Sequence, residues 1–179
     1  MYKLYKKKNT KIGILGGTFD PPHKGHLYIS KFALKKLKLN KLIWLVTKKN
    51  PLKKKPYLHL KMRINLAKKM IAKEKKIQVE YYDDKVKSVN TFKLLNFVRR
   101  KNKRAKIFFL IGADNLVKLH KWYNWKKIPN LAQIVVFPRK NYSIKSPKPI
   151  ASKILDKKDL IYINSKKINI SSSLIRKFW

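Results

Sequence analysis

Short, continuous apolar runs that alternate with segments of helical periodicity are the feature that most constrains this fold. Residues 12–15 form the first run, which stops at Gly16 and Gly17. From Gly25 towards Asn40, apolar side chains recur instead at the spacing of a helix. A strand with no polar alternation is buried on both faces, as in a parallel sheet. The first forty residues therefore predict a strand, a glycine-containing turn and a helix.

The same alternation continues along the chain. Apolar runs predict further strands at residues 42–46, 77–79, 107–111, 131–137 and 160–163, and helical spacing predicts helices at 60–71, 91–100 and 172–178. This order predicts a Rossmann-like, doubly wound α/β fold whose sheet is mainly parallel, with helices on both faces. A length of 179 residues suits one core, so we expect a single domain over residues 1–179. Residues 140–149 are expected to form a loop within it.

Charge raises the question of a nucleic-acid partner. Lys and Arg number 47 against 8 Asp and Glu, giving a net charge of +39. Only six of these basic residues are arginines, whereas proteins that read bases favour the forked arginine side chain. Lys, Asn and Ile are all plentiful, as in chains encoded by AT-rich DNA. We therefore interpret the lysine excess as compositional drift and expect no specific nucleic-acid partner.

The sequence also excludes several other classes. It contains no Cys, which rules out disulfides, a thiolate nucleophile and Cys-ligated zinc, and fits a reducing compartment. No apolar run approaches the ~18 residues that a membrane span needs. The basic N-terminus is followed by too short an apolar run for a secretory signal. We expect a cytoplasmic protein with no membrane partner.

The first motif, residues 16–26, occupies the turn between the first strand and the first helix. In open α/β sheets this place binds ligands, and the helix N-terminus offers free N–H groups to an anion. Gly16 and Gly17 let the backbone approach a phosphate closely. His23 and His26 stand three residues apart where the helix begins, so both imidazoles can point into one pocket.

A zinc site or a common phosphate-loop motif would account less well for this segment. Zinc requires three or four ligands, but the chain offers only His59 and His120 in addition and no Cys. The segment matches neither G-x-x-x-x-G-K-[ST] nor G-x-G-x-x-G, which excludes ordinary P-loop kinases and dinucleotide-dependent dehydrogenases.

The second motif, residues 170–176, places three serines at the start of the last helix and Arg176 one turn later. A helix cap explains one serine. Three hydroxyl groups followed by a guanidinium at this spacing suit a phosphate chain. The two motifs together predict a site for a phosphate chain.

These motifs carry a family resemblance. Residues 16–26 are similar to the G-x-F-x-P-x-H-x-G-H signature, and residues 170–176 to the I-S-S-T-x-I-R signature, of the nucleotidyltransferase superfamily with the (H/T)-x-G-H motif. Within it the chain resembles the bacterial nicotinate-mononucleotide adenylyltransferases over almost its whole length, including segments 88–92, 111–114 and 121–123. The resemblance implies transfer of AMP from ATP to nicotinate mononucleotide, which yields deamido-NAD and pyrophosphate in NAD biosynthesis.

The resemblance also implies site residues. His23, His26 and Arg176 would be catalytic, Trp122 would stack on the nicotinate ring, and Tyr123 would line the pocket for its carboxylate. The implied ATP-binding residues are Gly16, Gly17, Thr18, Phe19, His23, His26, Gly112, Asp114, Ser172, Ser173 and Arg176. The implied substrate-binding residues are Thr91, Trp122, Tyr123 and Lys53. The alternative to a stacking role is that Trp122 is an aromatic residue of the core.

The chemistry requires few protein groups. A phosphate monoester has a second pKa near ~6, so at neutral pH it attacks as a dianion without a general base. The reaction needs in-line positioning and positive charge at the phosphates. Mg²⁺ carried by the ATP phosphates is the expected cofactor, with no metal site on the protein. ATP and nicotinate mononucleotide are the expected partners, and a homo-oligomer is possible.

The chain departs from the family pattern at two places. The loop after the second strand usually carries Pro-Pro-His-Lys, whereas Asn50 to Lys53 keeps a proline and the lysine but no histidine. The sequence stops three residues after Arg176, where relatives often continue. Asp83 and Asp84 are adjacent, and we interpret both as solvated side chains on a surface loop.

Alternative functions remain at this stage. A sibling enzyme could adenylylate nicotinamide mononucleotide or phosphopantetheine, although pantetheine enzymes more often have Thr at the position of His23 and lack the Trp122-Tyr123 pair. A lysine-rich nucleic-acid-binding module is the alternative from a different class.

Overall fold

The computed structural model describes residues 10–139, 142, 149–165 and 170–179. Six strands form one sheet in which every neighbouring pair is parallel. The strands are β1 Lys11–Gly17, β2 Lys41–Val46, β3 Ile77–Tyr81, β4 Lys106–Gly112, β5 Gln133–Phe137 and β6 Leu160–Tyr162. Their order is β3-β2-β1-β4-β5-β6. This is the doubly wound order, and it leaves a crevice where β1 and β4 lie side by side.

Helices connect the strands. The α-helices are α1 Lys24–Lys36, α2 Leu60–Met70, α3 Asp83–Val86, α4 Thr91–Lys101, α5 Ala113–Lys118, α6 Ile150–Ile154 and α7 Ser172–Ile175. Short 3-10 turns cover Leu119–Lys121, Trp125–Lys127, Lys157–Asp159 and Arg176–Phe178. None of the helices in the described part of the chain is long and apolar enough to cross a membrane.

The two faces of the sheet carry separate apolar cores. Alternate residues of one strand point to opposite faces, so Ile43 joins the cluster under α4 and α5, while Trp44 joins the cluster under α1 and α2. Both residues are buried, as the continuous apolar run predicts. The predicted α/β fold with helices on both faces is therefore confirmed.

The structure corrects some predicted boundaries. The strand expected at 131–137 begins at Gln133, because the N–H of Leu131 donates to Ile128 O in a turn. The helix expected at 172–178 is α-helical only to Ile175 and continues as a 3-10 turn. Helices α3, α5 and α6 were not predicted, since four to six residues are too few to show a helical period. Most of the loop predicted at 140–149 lies outside the described residues.

Candidate active site

A pocket of about 500 Å³ opens beside the carboxyl ends of β1, β2 and β4. It brings together most of the site residues proposed from the sequence, from both motifs and from the segments between them. Those lining the pocket are Gly16, Gly17, Thr18, Phe19, His23, His26, Lys53, Thr91, Asp114, Trp122, Tyr123, Ser172, Ser173 and Arg176. Gly112 lies at the end of β4 but is not among these lining residues.

The two histidines of the first motif are held by the backbone of their own helix start. His23 is the N-cap of α1, and its Nδ1 accepts from Gly25 N–H at 3.1 Å. The Nδ1 of His26 accepts from His23 N–H, also at 3.1 Å. Because both Nδ1 atoms are acceptors, a neutral ring carries its proton on Nε2. The ring centroids are 3.8 Å apart, so two Nε2 donors serve one pocket.

Gly25 explains the spacing of this motif. A side chain there would place a Cβ 2.8 Å from both His23 Nδ1 and Ile170 Cγ2. These distances are too short for a carbon atom, and Ile170 belongs to the second motif. The small residue between the histidines therefore lets the two motifs pack together.

Burial keeps both imidazoles uncharged. Burial, followed by the positive charge of Arg139, lowers the pKa of His23 from 6.5 to about 4. Burial, then His23 and then Arg139, lowers the pKa of His26 well below its usual value. Both rings are thus neutral at pH 7 and can donate from Nε2 to a phosphate oxygen without taking up a proton.

Aromatic packing supports His26 from behind. The ring of Phe19 lies 4.6 Å from that of His26 and 5.0 Å from that of Trp44. Trp44 Nε1 donates to Ser30 Oγ at 2.7 Å, and Ser30 Oγ donates to His26 O at 2.8 Å. Phe19 adopts a left-handed φ of 49°, a conformation that few bulky residues take. The histidine is therefore fixed through both its ring and its backbone.

The second motif closes on the first. Ser171 caps α7 by accepting from Leu174 N–H at 3.1 Å, so one of the three serines is the cap. Ser172 Oγ donates to Pro21 O at 2.9 Å. The guanidinium of Arg176 donates to Asp20 O, and its Nη1 lies 3.4 Å from Asp20 Oδ2. These contacts fix Arg176 at the rim of the pocket.

Asp114 and Arg139 form another wall of the pocket. Asp114 lies in the first turn of α5, and its Oδ1 is 4.0 Å from Arg139 Nε. This buried oxygen has no hydrogen-bond partner among the described residues. A side chain at Gly112 would collide with the same oxygen, so Gly112 acts by leaving room for Asp114.

The residues implied for the mononucleotide lie at the side of α4. Thr91 is the first residue of α4. Trp122 is half-buried, with its ring 6.2 Å from that of Phe109, and it packs on the core while also lining the pocket. Tyr123 is 52% exposed. Trp122 can therefore be a core residue and still form part of the wall of the site.

The interpretation of Asp83 as a solvated residue was wrong. Asp83 is 2% exposed, and its Oδ2 accepts from Thr47 Oγ1 and from Lys48 N–H, both at 2.7 Å. Burial raises the pKa of Asp83, and these two hydrogen bonds oppose that rise. Asp84 is exposed and pairs with Lys48 Nζ. Asp83 begins α3 and faces the end of β2, whereas Asp84 lies at the surface.

Lys53 reaches the pocket although its loop lacks the family histidine. It is exposed to the open pocket, where the surrounding protein atoms lower its pKa. Asp114 raises that pKa, and the positive charges of Lys118, Arg139 and Arg176 lower it further. Lys53 therefore belongs to a cluster of basic groups that suits a polyanion.

Arg139 was not among the site residues predicted from the sequence. It lines the pocket directly after β5 and influences both histidines. Its position beyond the carboxyl end of a strand and the scarcity of arginines in this lysine-rich chain were the signals available. Among the described residues, no group of three or more His, Cys, Asp or Glu side chains could hold a metal ion.

Comparisons with known proteins identify the family to which this chain belongs. The cytidylyltransferase-like family model matches residues 14–178. A protein of Pelagibacter ubique named "Probable nicotinate-nucleotide adenylyltransferase" is 50% identical over 171 residues, covering 96% of this chain and 94% of its own length. The chain belongs to the nicotinate-nucleotide adenylyltransferase family. A family member from Bradyrhizobium sp. is 34% identical, covering 81% of this chain and 76% of its own.

Solved structures related to the adenylyltransferase family share the fold. Nicotinic acid mononucleotide adenylyltransferase of Plasmodium falciparum, complexed with NaAD, superposes with a TM-score of 0.75. The alignment covers 95% of this chain and 84% of that one, at 20% identity. At this identity the likeness concerns the fold alone.

Proposed function

We propose that this chain transfers AMP from ATP to nicotinate mononucleotide, forming nicotinate adenine dinucleotide and pyrophosphate in NAD biosynthesis. The observation that carries this proposal is the pair of neutral Nε2 donors on His23 and His26, joined in one pocket by Arg176 of the second motif. Family membership supports the same reaction. We further propose that residues 1–179 act as one domain.

In this reaction, a phosphate oxygen of the mononucleotide attacks the α-phosphorus of ATP. A new P–O bond forms there, and the bond from the α-phosphorus to the oxygen shared with the β-phosphate breaks, so pyrophosphate leaves with its electron pair. The attacking group is already a dianion at pH 7, so no residue needs to remove a proton. The chain's task is to align the two substrates and to stabilise the growing negative charge.

His23 and His26 donate from Nε2 to phosphate oxygens of ATP in this proposal. Arg176 serves the triphosphate, since a guanidinium forms charge-assisted bonds with phosphate. Ser173 adds its hydroxyl, and Ser172 would do so by turning its hydroxyl hydrogen away from Pro21 O. Gly16, Gly17, Thr18 and Phe19 form the floor beneath ATP, with Gly112 and Asp114 at its adenosine side. Arg139 adds positive charge beside Asp114.

Trp122 stacks on the pyridine ring of the mononucleotide. Thr91 and Tyr123 line the pocket for its carboxylate, and Lys53 contacts a phosphate. This stacking role is supported by the position of Trp122, which is half-buried and lines the pocket.

Magnesium would arrive on ATP and neutralise part of the triphosphate charge. Two carboxylates of the pocket differ in their free acceptor atoms. Asp114 has an oxygen without a hydrogen-bond partner among the described residues, whereas Asp20 already accepts two backbone N–H groups. Of the two, Asp114 has the free acceptor, but in this proposal it serves the adenosine side, so the ion would be held by the phosphate oxygens of ATP. A cytoplasmic location and the absence of nucleic-acid and membrane partners stay predictions, as does any homo-oligomer.

In the deciding experiment, the full chain is incubated with ATP, Mg²⁺ and one of three phosphate monoesters. These are nicotinate mononucleotide, nicotinamide mononucleotide and phosphopantetheine. Pyrophosphate release is followed, and the dinucleotide product is identified by its mass. Fastest turnover of nicotinate mononucleotide supports the proposal. Preference for either other monoester assigns a sibling activity, and no turnover of any of them refutes adenylyl transfer.

Salt-dependent DNA binding separates the enzyme from the alternative of a nucleic-acid-binding module. Drifted lysines should bind random duplex DNA weakly, with steep salt dependence and no sequence preference. Tight, sequence-selective binding near physiological salt would favour the module instead.

A further inference from the structure

Arg63 is a buried arginine that adenylyl transfer does not use. It lies in α2, is 2% exposed, and is not among the described residues that line the pocket. All the hydrogen bonds of its guanidinium go to backbone carbonyl groups. A buried charge is costly unless it is well paired, so these carbonyls must matter to the local structure.

The carbonyls belong to the first motif and to both ends of the segment that follows β2. We call residues 47–58 the 47–58 loop. Arg63 Nη1 donates to Thr18 O at 2.5 Å and to Thr47 O at 2.8 Å, and Nη2 donates to Lys48 O at 3.0 Å. Its Nε donates to Leu58 O at 3.0 Å. One guanidinium therefore joins the start and the end of the loop to the first motif.

Two carboxylates hold the same loop ends. Asp83 accepts from Thr47 Oγ1 and Lys48 N–H at the start. Asp20 accepts from Tyr57 N–H at 2.8 Å and from Leu58 N–H at 2.9 Å at the end. With both ends fixed, the middle of the loop passes along the pocket, and Lys53 lies there.

We propose that Arg63 is a positioning residue for the anion site: by tying the two ends of the 47–58 loop to the first motif, it sets where Lys53 meets a phosphate group. Arg63 touches no substrate in this proposal and acts through the loop. Only the identity of the phosphate-bearing substrates rests on the proposed function.

The side chain must be arginine for this task. Its planar fork directs several N–H groups to acceptors spread over three segments, whereas an ammonium is a single point. Lysine at this position could stay charged and reach one or two carbonyls, but would leave others without a donor. Arg63→Lys therefore loosens the loop ends while keeping the charge and most of the volume.

Arg99 supplies a matched control. It also donates to backbone carbonyls, to Leu131 O at 3.0 Å from Nε and to Ala105 O at 2.6 Å from Nη1. These carbonyls precede β5 and β4, at the amino edge of the sheet and away from the pocket. Arg99→Lys should lower the melting temperature without weakening the binding of an anion at the pocket.

The test is a double-mutant cycle with inorganic pyrophosphate as the probe. Calorimetry measures pyrophosphate binding to the full chain and to Arg63→Lys, Lys53→Ala, the double variant and Arg99→Lys. Steady-state assays measure KM and kcat for the same proteins, and thermal melts report folding. Lys53→Ala should weaken pyrophosphate binding about tenfold, as expected for a charge-assisted contact, and Arg63→Lys should weaken it several-fold. In the Lys53→Ala background, Arg63→Lys should have almost no further effect.

Fully additive effects of the two substitutions would overturn the proposal, as would an Arg63→Lys variant that binds pyrophosphate like Arg99→Lys. If Arg63→Lys does not fold, Asp83→Ala releases the start of the same loop and must show the same dependence on Lys53. The binding cycle does not require turnover. An inactive chain that still shows the coupling would refute the proposed function and leave this inference standing.

Discussion

The carboxyl and amino edges of the sheet differ in the polar side chains that they bury. At the carboxyl edge, Asp20, His23, Arg63 and Asp83 are buried polar groups, and they form four of the five in the described part of the chain. The fifth, Ser30, bonds to His26 O. Each of these groups needs a partner at some cost in free energy.

None of these five buried residues lies at the amino edge. The loop from α1 to β2 is joined to β1 by Lys11 N–H donating to Asn40 Oδ1 at 2.7 Å, in an exposed position. Arg99 ties the turns before β4 and β5, and it remains partly exposed. At the amino edge, exposed or partly exposed hydrogen bonds are enough to hold the connections between elements. The buried polar network at the carboxyl edge is therefore explained by the site that it shapes. Substitutions at the two edges should therefore separate activity from stability.

The largest expected effect is that of His26→Ala at the carboxyl edge. Removing one donor from a charge-stabilising site lowers turnover by about 10²–10³-fold. The fold should persist, because the remaining support of α1 comes from its buried face. Steady-state kinetics and circular dichroism measure the two properties. His59→Ala, at the exposed N-cap of α2 where the side chain makes no capping bond, is the control and should retain activity. A folded His26→Ala variant with near-native turnover would remove His26 from the reaction.

Substrate choice gives the next largest effect. A carboxylate only accepts hydrogen bonds, whereas an amide also presents donors, so backbone N–H groups near Thr91 and Tyr123 would suit nicotinate. An unmatched group in a buried pocket costs ~1–3 kcal/mol, which corresponds to roughly tenfold to a hundredfold in kcat/KM. Trp122→Ala should lower kcat/KM for both mononucleotides alike, because both rings stack in the same way. Equal values for the two substrates in the unmodified protein would contradict this pocket.

Acid should destabilise the carboxyl edge. The unfolded chain binds a proton at His23 near pH 6.5, whereas the folded chain binds it only near pH 4. The contribution of His23 is therefore fully present above pH 6.5 and is lost as the pH falls from 6.5 to 4. The melting temperature should drop through this window, and His23→Asn should drop less, since Asn caps the helix without titrating. His59→Asn is the matched control for replacing a histidine at a helix N-cap. A drop of equal size in His23→Asn would assign it to other groups.

Local pattern explains what the sequence could and could not predict. The strands were predictable because burial on both faces leaves continuous apolar runs, and the first motif because His23, Gly25 and His26 act within one turn. The roles of Asp83 and Arg63 depend on partners 35 and 45 residues away, at Lys48 and Thr18, which no local period records. Arg63 lies in a helix rich in lysine, and the rarity of arginine in this chain was the one sequence signal that distinguished it.

The smallest expected effect lies at the amino edge, in Asn40→Ala. This change removes the acceptor of Lys11 N–H, while Asn40 N–H still donates to Lys11 O at 2.9 Å. The lost bond is exposed, so water replaces it, and the free energy of unfolding should fall by no more than about 1 kcal/mol. For a chain of this size that corresponds to a melting temperature lower by about 2–4 °C. Because this edge is remote from the pocket, kcat/KM should equal that of the unmodified protein. Thermal melts and kinetics on the same sample measure both quantities. Loss of activity beyond the loss of folded protein would show that the two edges are coupled, and that stability and function are not separated between them.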